Sequence, residues 1–295
     1  MSSAFQINTN IQSQQALLNL QNTNEELATR QERLSTGLRI NSAEDDAAGF
    51  EIAAQLEAKV GGQEQASRNI SDAKSMLSVA EGGLDSQLDI LQEMKSKVVQ
   101  ASNDSLGSSE RKAIEKELDQ LTSELNDIAE NTSFNGKNLL DGSVDGSSGN
   151  SGLEFQTGAE KDETFKTKIT DSLAKNIGAS GNKIGDGSGK FNQDDLDATD
   201  GSGNVKAVAT VDKAIDDVSG QLSDLGATQN RLSFKQENLE TSTKNLSAAQ
   251  SQIEDADFAR EQTKVAKLQV LQQTGTAQLA QANASGQSVL SLLGG

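Results

Sequence analysis

The sequence predicts a mainly α-helical chain: a long antiparallel helical coiled-coil rod formed by both chain ends, with a small β-hairpin region and a short Gly-rich surface insert. Three observations predict it. Apolar residues recur in alternating steps of four and three over several long stretches, the spacing that lays one apolar stripe along a helix. Proline is absent from all 295 residues, where average usage of about 5% would place roughly fifteen. No position therefore removes a backbone donor or collides with a preceding helical turn. Residues 141–205 hold 12 of the 26 glycines, and they separate one helical half of the chain from the other.

Taken in order, Leu20, Leu27 and Leu34 recur every seven residues, with Leu17 and Leu38 on the neighbouring seam. Ser42-Ala43-Glu44-Asp45 has the form of a capping box, expected to open the next helix. That helix carries Ile70, Leu77, Leu84, Leu88, Leu91 and Val98. A third carries Ile114, Leu118, Leu121, Leu125 and Ile128. In the insert, Leu153, Phe155 and Thr157 alternate, as do Phe165, Thr167 and Ile169, with Gly158 to Glu163 between them; this predicts a β-hairpin. Residues 170–205, rich in Gly, Ser, Asp and Asn, read as a polar, solvated excursion.

The longest run follows: Val211, Ile215, Val218, Leu222, Leu225, Gln229, Leu232, Gln236, Leu239, Thr243, Leu246, Gln250 and Ile253. At 1.5 Å per residue it spans about 65 Å. Up to Leu225 both seam positions are apolar; beyond it one seam turns to Gln and Thr, so that half is expected to face polar neighbours. The last helix continues the spacing through Val265, Leu268, Gly275, Leu279 and Ala282. The order is three helices, a β insert, then two helices, and the first and last must meet across the insert.

Composition excludes several functions. Apolar residues are 34% and aromatics 3%, all Phe, which suits thin helical bundles better than one thick globule. No Cys means no disulfides and no thiolate metal site, and no His removes the commonest general base and metal ligand. A net charge of −18 disfavours nucleic acid and anionic membranes as partners. No stretch approaches a membrane span, and residues 1–10 lack the basic and apolar regions of a cleavable signal. Residues 1–24 and 268–295 contain no ionisable side chain. Such amide-rich ends suit packing where charge is costly to desolvate but hydrogen bonds can form.

Candidate chemical motifs are weak. Asp141, Ser143, Asp145 and Gly146 match half a calcium loop, but Gly152 stands where Glu is required. Gly185, Gly187 and Gly189 precede Lys190 without the following Ser or Thr of a phosphate loop. Carboxylate pairs such as Asp45 and Asp46 read as solvated helix-face residues. No nucleophile has a plausible base, so no catalytic residue, metal site or cofactor is expected.

Several segments resemble bacterial flagellins. The start, Met1-Ser-Ser-Ala-Phe-Gln-Ile-Asn-Thr-Asn10, is similar to the family's INTN opening. Leu34-Ser-Thr-Gly-Leu-Arg-Ile-Asn-Ser-Ala-Glu-Asp-Asp-Ala-Ala-Gly49 resembles LSSGLRINSAKDDAAG. Phe134-Asn-Gly-Lys-Asn-Leu-Leu140, Leu225-Gly-Ala-Thr-Gln-Asn-Arg-Leu232, Asn245-Leu-Ser-Ala-Ala249, Leu271-Gln-Gln-Thr-Gly-Thr-Ala277 and Ser288-Val-Leu-Ser-Leu-Leu293 follow in register. The match covers roughly residues 1–170 and 206–295.

The resemblance implies a structural subunit of the bacterial flagellar filament, secreted through the flagellum's own channel and not an enzyme. It implies that residues 1–40 and 257–295 pair as an inner coiled-coil domain. Residues 41–170 and 206–256 would form a helical rod domain with the hairpin, and 171–205 a shortened variable surface insert. The implied polymerisation core is Leu17, Leu20, Leu27, Leu34, Val265, Leu268, Leu271, Leu279, Val289, Leu290, Leu292 and Leu293. The implied rod core is Ile114, Leu118, Leu121, Leu125, Ile128, Val211, Ile215, Val218, Leu222, Leu225 and Leu232. Implied partners are other flagellin copies, an export chaperone at the C-terminal region, and filament cap and hook-junction proteins.

Two departures from the family pattern stand out. Gly286 replaces a usual Pro. In the segment read by the vertebrate innate flagellin receptor, Glu93 and Lys97 stand where Arg and Leu are usual, while Glu117 keeps the family's acid. Glu93 and Lys97 also fit the i,i+4 spacing of a simple helix-stabilising pair. The nearest rival is a hook–filament junction protein, whose Tyr-containing tail contrasts with Leu292-Leu293-Gly294-Gly295. A membrane-inserting translocator would need an apolar hairpin that this sequence lacks.

Overall fold

The structure is a computed structural model that describes residues 10–103, 105–146, 152–178, 183–185, 190–191 and 206–293, with the side chains of 285–293 outside the description. The opening motif up to Thr9, residues 186–189 of the Gly-rich motif and residues 192–205 of the insert lie outside the described residues. Helices come first, as expected from a chain without proline: α1 Ile11–Thr36, α2 Ala47–Ala101 and α3 Ser108–Asn131. Four short strands follow, β1 Ser133–Phe134, β2 Lys137–Asn138, β3 Leu153–Gln156 and β4 Thr164–Thr167. The chain then returns to helix in α4 Lys206–Glu254 and α5 Phe258–Leu293.

Two compact units are present: unit 1 from residues 1–59 and 244–295, and unit 2 from 60–243. Unit 2 holds the main core. The seven-residue stripe of α2 is buried throughout, with Ile70, Leu77, Leu84, Leu91 and Val98 all at 0% exposure. Leu118 and Leu125 of α3 and Val211, Val218, Leu225 and Leu232 of α4 close over it. Leu121, Ile215 and Leu222 pack against this cluster half-buried, Ile114 is buried and Ile128 half-buried.

Beyond Leu225 the polar seam of α4 meets polar partners. Gln229 donates to Glu81 at 2.8 Å, and Thr243 donates to the Gln63 carbonyl at 3.1 Å while the Gln63 amide donates to Ser242 at 2.9 Å. The change of seam chemistry in the sequence thus corresponds to a change of neighbour.

The predicted hairpin forms as β3 and β4, antiparallel, with Leu153 opposite Thr167 and Phe155 opposite Phe165. Arg231 on α4 lies 4.9 Å from the Phe165 ring centroid, a cation–π contact that ties the hairpin to the helix. A second hairpin, β1–β2, was not anticipated. Its turn is Asn135-Gly136, with φ of 50° and 78°, the left-handed pair that a two-residue turn requires.

Residues 171–178, 183–185 and 190–191 depart from the solvated excursion expected there. Leu173, Ala174, Ile177, Ile184 and Phe191 are buried in the unit 2 core. Side chains on the helices hold their backbone: Asn126 accepts from Ala174 N–H at 2.9 Å, Asp119 from Phe191 N–H at 2.9 Å, and Asp217 from Gly178 N–H at 3.2 Å. Apolar residues spaced singly among Gly, Ser and Asp leave no periodic signal, but each finds a long-range partner.

The capping box also needs correction. Ser42 to Asp45 forms a turn, and α2 opens at Ala47, where Asp46 accepts from the Gly49 N–H at 3.0 Å. Asp45 reaches back to the N–H groups of Asn41 and Ser42 at 3.1 and 3.3 Å, so the box closes one residue short of the helix.

Two adjacent glycines in α2 differ sharply in surroundings. A Cβ on Gly83 would stand 2.7 Å from Thr132 Oγ1 and 2.8 Å from Leu140 Cδ1, whereas one on Gly82 would meet nothing within 4 Å. Gly83→Ala is expected to destabilise unit 2 by about 1–3 kcal/mol, while Gly82→Ala should stabilise it by about 0.5–1 kcal/mol. Chemical denaturation of both variants checks this; equal shifts of the same sign would be the wrong outcome for this packing.

Candidate assembly site on the paired terminal helices

Unit 1 is organised around α1 and α5, which run antiparallel against each other. Asn10 caps α1 by accepting from Ser13 N–H at 3.0 Å, and its amide also donates to Ala282 O on α5 at 2.8 Å. Moving along the pair, Ser13 donates to Asn283 at 2.7 Å, and Gln272 donates to Asn24 at 2.8 Å. Gly275 faces Leu20, where an added Cβ would stand 3.3 Å from Leu20 Cδ1. The charge-free stretches of both helices are thus joined by side-chain amides, a hydroxyl and close small-residue contact.

Among the described residues, apolar burial in the pair is confined to one place. Leu27, Val265 and Leu268 are buried, with Leu34 packed against them. Leu20 and Leu279 are half-buried. Leu17 and Leu271 are 44% and 45% exposed. Val289, Leu290, Leu292 and Leu293 continue α5, with side chains outside the described residues. Gly286 falls within α5, and the helix runs through it. Among the described residues, only the middle of the expected stripe is covered by this chain.

Further along, charge takes over from amides. Arg30 donates to both carboxylate oxygens of Glu261 at 3.2 Å, and Lys264 donates to the same carboxylate at 2.9 Å. Burial pushes the Glu261 pKa up, but Lys264 and Arg30 outweigh it and hold the carboxyl below the ordinary glutamate range. At the end of α1, Gly37 takes φ 77° and returns its N–H to Arg33 O, the left-handed helix stop that glycine favours.

The linker after Gly37 pairs with the linker between α4 and α5. Arg39 N–H donates to Glu254 O at 2.5 Å and Ala256 N–H to Gly37 O at 2.9 Å. The Arg39 guanidinium donates to Ile253 O at 2.6 Å, a cation placed at the negative end of α4. Arg33 bonds Asp45 at 2.6 Å; that bond, with the Asn41 N–H, holds the Asp45 carboxyl below its usual range. Gly49 lets Ile40 approach: a Cβ there would be 2.7 Å from Ile40 Cδ1. The motif from Leu34 to Gly49 is thus a linker lock, a role the sequence alone did not disclose because its partners lie more than 200 residues away.

In unit 2 the three remaining site residues meet differently from the i,i+4 pairing considered for them. Glu93 is exposed on α2. Lys97 bonds Glu117 on α3 at 2.5 Å, not Glu93. The neighbouring helix offers Lys97 a carboxylate that sequence spacing on α2 cannot reveal. Asp141 spends its oxygens on Ser143 N–H and the Asn138 amide, both at 2.9 Å. Among the described residues no group of three or more acids is placed to hold a metal.

The family described as bacterial flagellin N-terminal helical region matches residues 7–145, and the bacterial flagellin C-terminal helical region matches residues 208–293. The flagellar filament 33 kDa core protein of Treponema phagedenis is 37% identical over 291 residues, covering 97% of this chain and 99% of that protein. Flagellin of Bacillus subtilis (strain 168) is 39% identical over 306 residues, covering 98% and 100%. A solved structure from Vibrio parahaemolyticus, assigned as a flagellar hook-associated protein, has a TM-score of 0.55 and 21% identity over 72% of this chain and all of its own. That likeness is one of fold.

The Arg30–Glu261 pair gives a pH expectation. Because its folded-state pKa is lowered, Glu261 contributes stability above the ordinary glutamate range and loses it as pH falls through the lowered value. Glu261→Gln should weaken the α1–α5 pairing by about 1–3 kcal/mol at neutral pH. The gap from wild type should close as pH falls through the ordinary glutamate range and then through the lowered Glu261 value. Hydrogen exchange of the α1 and α5 amides in both proteins checks this; a gap that persisted unchanged at the lower pH would remove Glu261 as the cause.

Proposed function

The chain belongs to the bacterial flagellin family, and from that premise we propose how its parts serve a filament. It is a structural subunit that polymerises with other flagellin subunits into the bacterial flagellar filament of swimming cells. No helix among the described residues is long and apolar enough to cross a membrane. The junction-protein alternative is not favoured, because the relatives matched over nearly the whole chain are filament proteins.

One observation carries the finer reading. Of the eleven large apolar side chains exposed among the described residues, eight lie in unit 1: Ile11, Leu17, Leu18, Phe50, Ile52, Phe258, Val270 and Leu271. Among the described residues, two helices of 26 and 36 residues bury only three aliphatic side chains between them. Helix ordering is costly without packing, so α1 and α5 complete their burial on the same helices of neighbouring copies. The polymerisation core named from the sequence, Leu17 to Leu34 on α1 and Val265 to Leu293 on α5, is the stripe through which this happens. Assembly and folding are then one event, and contacts between unlike faces propagate without closure.

In this reading residues 1–40 and 257–295 form the inner layer of a hollow filament. The helical rod, 41–170 with 206–256, stands outside it, and 171–205 faces the medium. The filament lies outside the cell and transmits torque; the chain catalyses no reaction. The export chaperone would take the exposed α5 stripe before assembly, and the cap and hook-junction proteins would abut the same helices at the filament ends. Purified chain is expected to form long filaments visible by electron microscopy. A variant lacking residues 268–295 should remain a soluble, partly helical monomer, and filaments from that truncation would defeat the reading.

The receptor segment supports a further part of the proposal, weak recognition by the vertebrate innate flagellin receptor. Glu93 reverses a usual positive charge, and Lys97 both replaces an apolar contact and occupies Glu117. Both changes act against a site that expects an arginine, a leucine and a free acid. Restoring them with Glu93→Arg and Lys97→Leu should raise receptor activation by monomeric protein by about a hundredfold. Equally strong activation by wild type and the double variant would rule this out.

A further inference from the structure

The buried seam of α2 advances in alternating steps of four and three. From Ala66 to Ala101 every such step lands on a side chain at 3% exposure or less, and all but one of them are apolar. The exception is Gln87, at 0%. The same steps along α4 from Ala207 to Leu225 meet apolar side chains at 3% or less at every position but one, and that position is Gln221.

The two glutamines stand at one level. Gln229 of α4 donates to Glu81 of α2 at 2.8 Å, and Lys95 of α2 pairs with Asp212 of α4 at 2.7 Å, so the helices run antiparallel. Gln87 follows Glu81 by six residues and Gln221 precedes Gln229 by eight; counted from the other contact, the steps are eight and nine. At 1.5 Å per residue both counts set the glutamines level to within about 3 Å.

Gln87 Nε2 donates to Leu125 O on α3 at 3.0 Å and to Ser172 O of the insert at 3.4 Å. Those two carbonyls fix which way the amide faces, since the opposite orientation would set Oε1 against both. Gln87 Oε1 is then buried with no donor among the described residues, and Gln221 Oε1 is buried in the same condition. A buried acceptor without a donor is costly and calls for a partner. Two neutral amide oxygens bring no charge to hold a cation. A water offers two hydrogens, one for each oxygen, and commonly fills such a place.

We propose that Gln87 and Gln221 form one polar layer across the α2–α4 seam, hold a single water between their Oε1 atoms, and so key the register of the two helices. More than a hundred residues separate Ala101 from Lys206, so no short loop aligns α2 with α4. The Lys95–Asp212 pair is 46% exposed on both sides and aligns them only weakly. Apolar positions that repeat every seven residues match again after a slip of seven. The glutamines do not, because a slip buries each amide among aliphatic side chains and away from its partners. The inference concerns unit 2 alone and is independent of the filament reading.

Isotope-labelled, full-length monomer in solution carries the test. In the unmodified chain the Gln87 side-chain amide protons should show a nuclear Overhauser cross-peak to a bound water, and Gln221→Met should abolish it. Urea denaturation supplies a second arm. Gln221→Met should lower the folding equilibrium constant of unit 2 about tenfold in the unmodified chain, by stranding Gln87 Oε1. The same substitution should lower it less than about threefold in a chain already carrying Gln87→Met, where no acceptor is left to strand. The double variant keeps a continuous apolar seam of similar volume and should fold with a second set of α2 amide signals from the slipped register. Absence of the cross-peak in the unmodified chain overturns the shared water, and that result needs no variant to fold. Equal losses from Gln221→Met in the two backgrounds overturn the pairing of the glutamines. A double variant that fails to fold, or that folds with a single set of signals, overturns their role in register.

Discussion

The apolar stripe of α2, from Ile70 to Val98, must be covered along its whole length, and most of unit 2 exists to cover it. An isolated helix of this length gains little from propensity alone; its stability comes from burial of one face. Helices α3 and α4 supply two sides of that cover. The hairpins and the described residues of the insert supply the third, which is why a segment of such polar composition holds Leu173, Ile177, Ile184 and Phe191 at 8% exposure or less. Glycine sets how closely the cover approaches: Gly62 and Gly83 sit where loops touch α2.

Unit 1 obeys the same rule with a different outcome. Its helices carry a stripe, but among the described residues the chain covers only the middle of it. Where apolar cover is missing, amides bridge the two helices, Arg30 bonds Glu261 across them, and Arg33 and Arg39 bond Asp45 and the Ile253 carbonyl beside the linkers. Polar cross-links fix register without demanding that the surrounding surface be dry. A helix pair built this way has a defined geometry and an unfilled exterior, which is the combination an assembling subunit needs.

Much of this was legible in the sequence because long helices repeat their chemistry. The stripe from Val211 to Ile253 could be followed residue by residue, and even its change from leucine to glutamine matched a change of neighbour at Glu81 and Gln63. The β1–β2 hairpin was present in the sequence as Asn135-Gly136 but sat inside a family motif and passed unread. Other features had no local signal at all. Asp119, Asn126 and Asp217 look like solvated helix-face residues until the insert folds over them. Lys97 had a plausible partner four residues away, yet the structure gives it one on another helix. Periodicity reports which face is buried; it does not report what arrives to bury it.

The chemistry joining α1 to α5 also changes along the pair. Toward the linkers it is ionic, with Arg30 and Lys264 on Glu261. Toward Asn10 it is made of neutral amides and hydroxyls, since neither helix has an ionisable group there. Protons and salt ions can therefore act on one end only. Acid should unzip the pair directionally, starting beside the linker lock and moving toward an end whose bonds do not titrate. The pair has a vulnerable hinge side and an inert far side, a polarity written into where the charged residues stop.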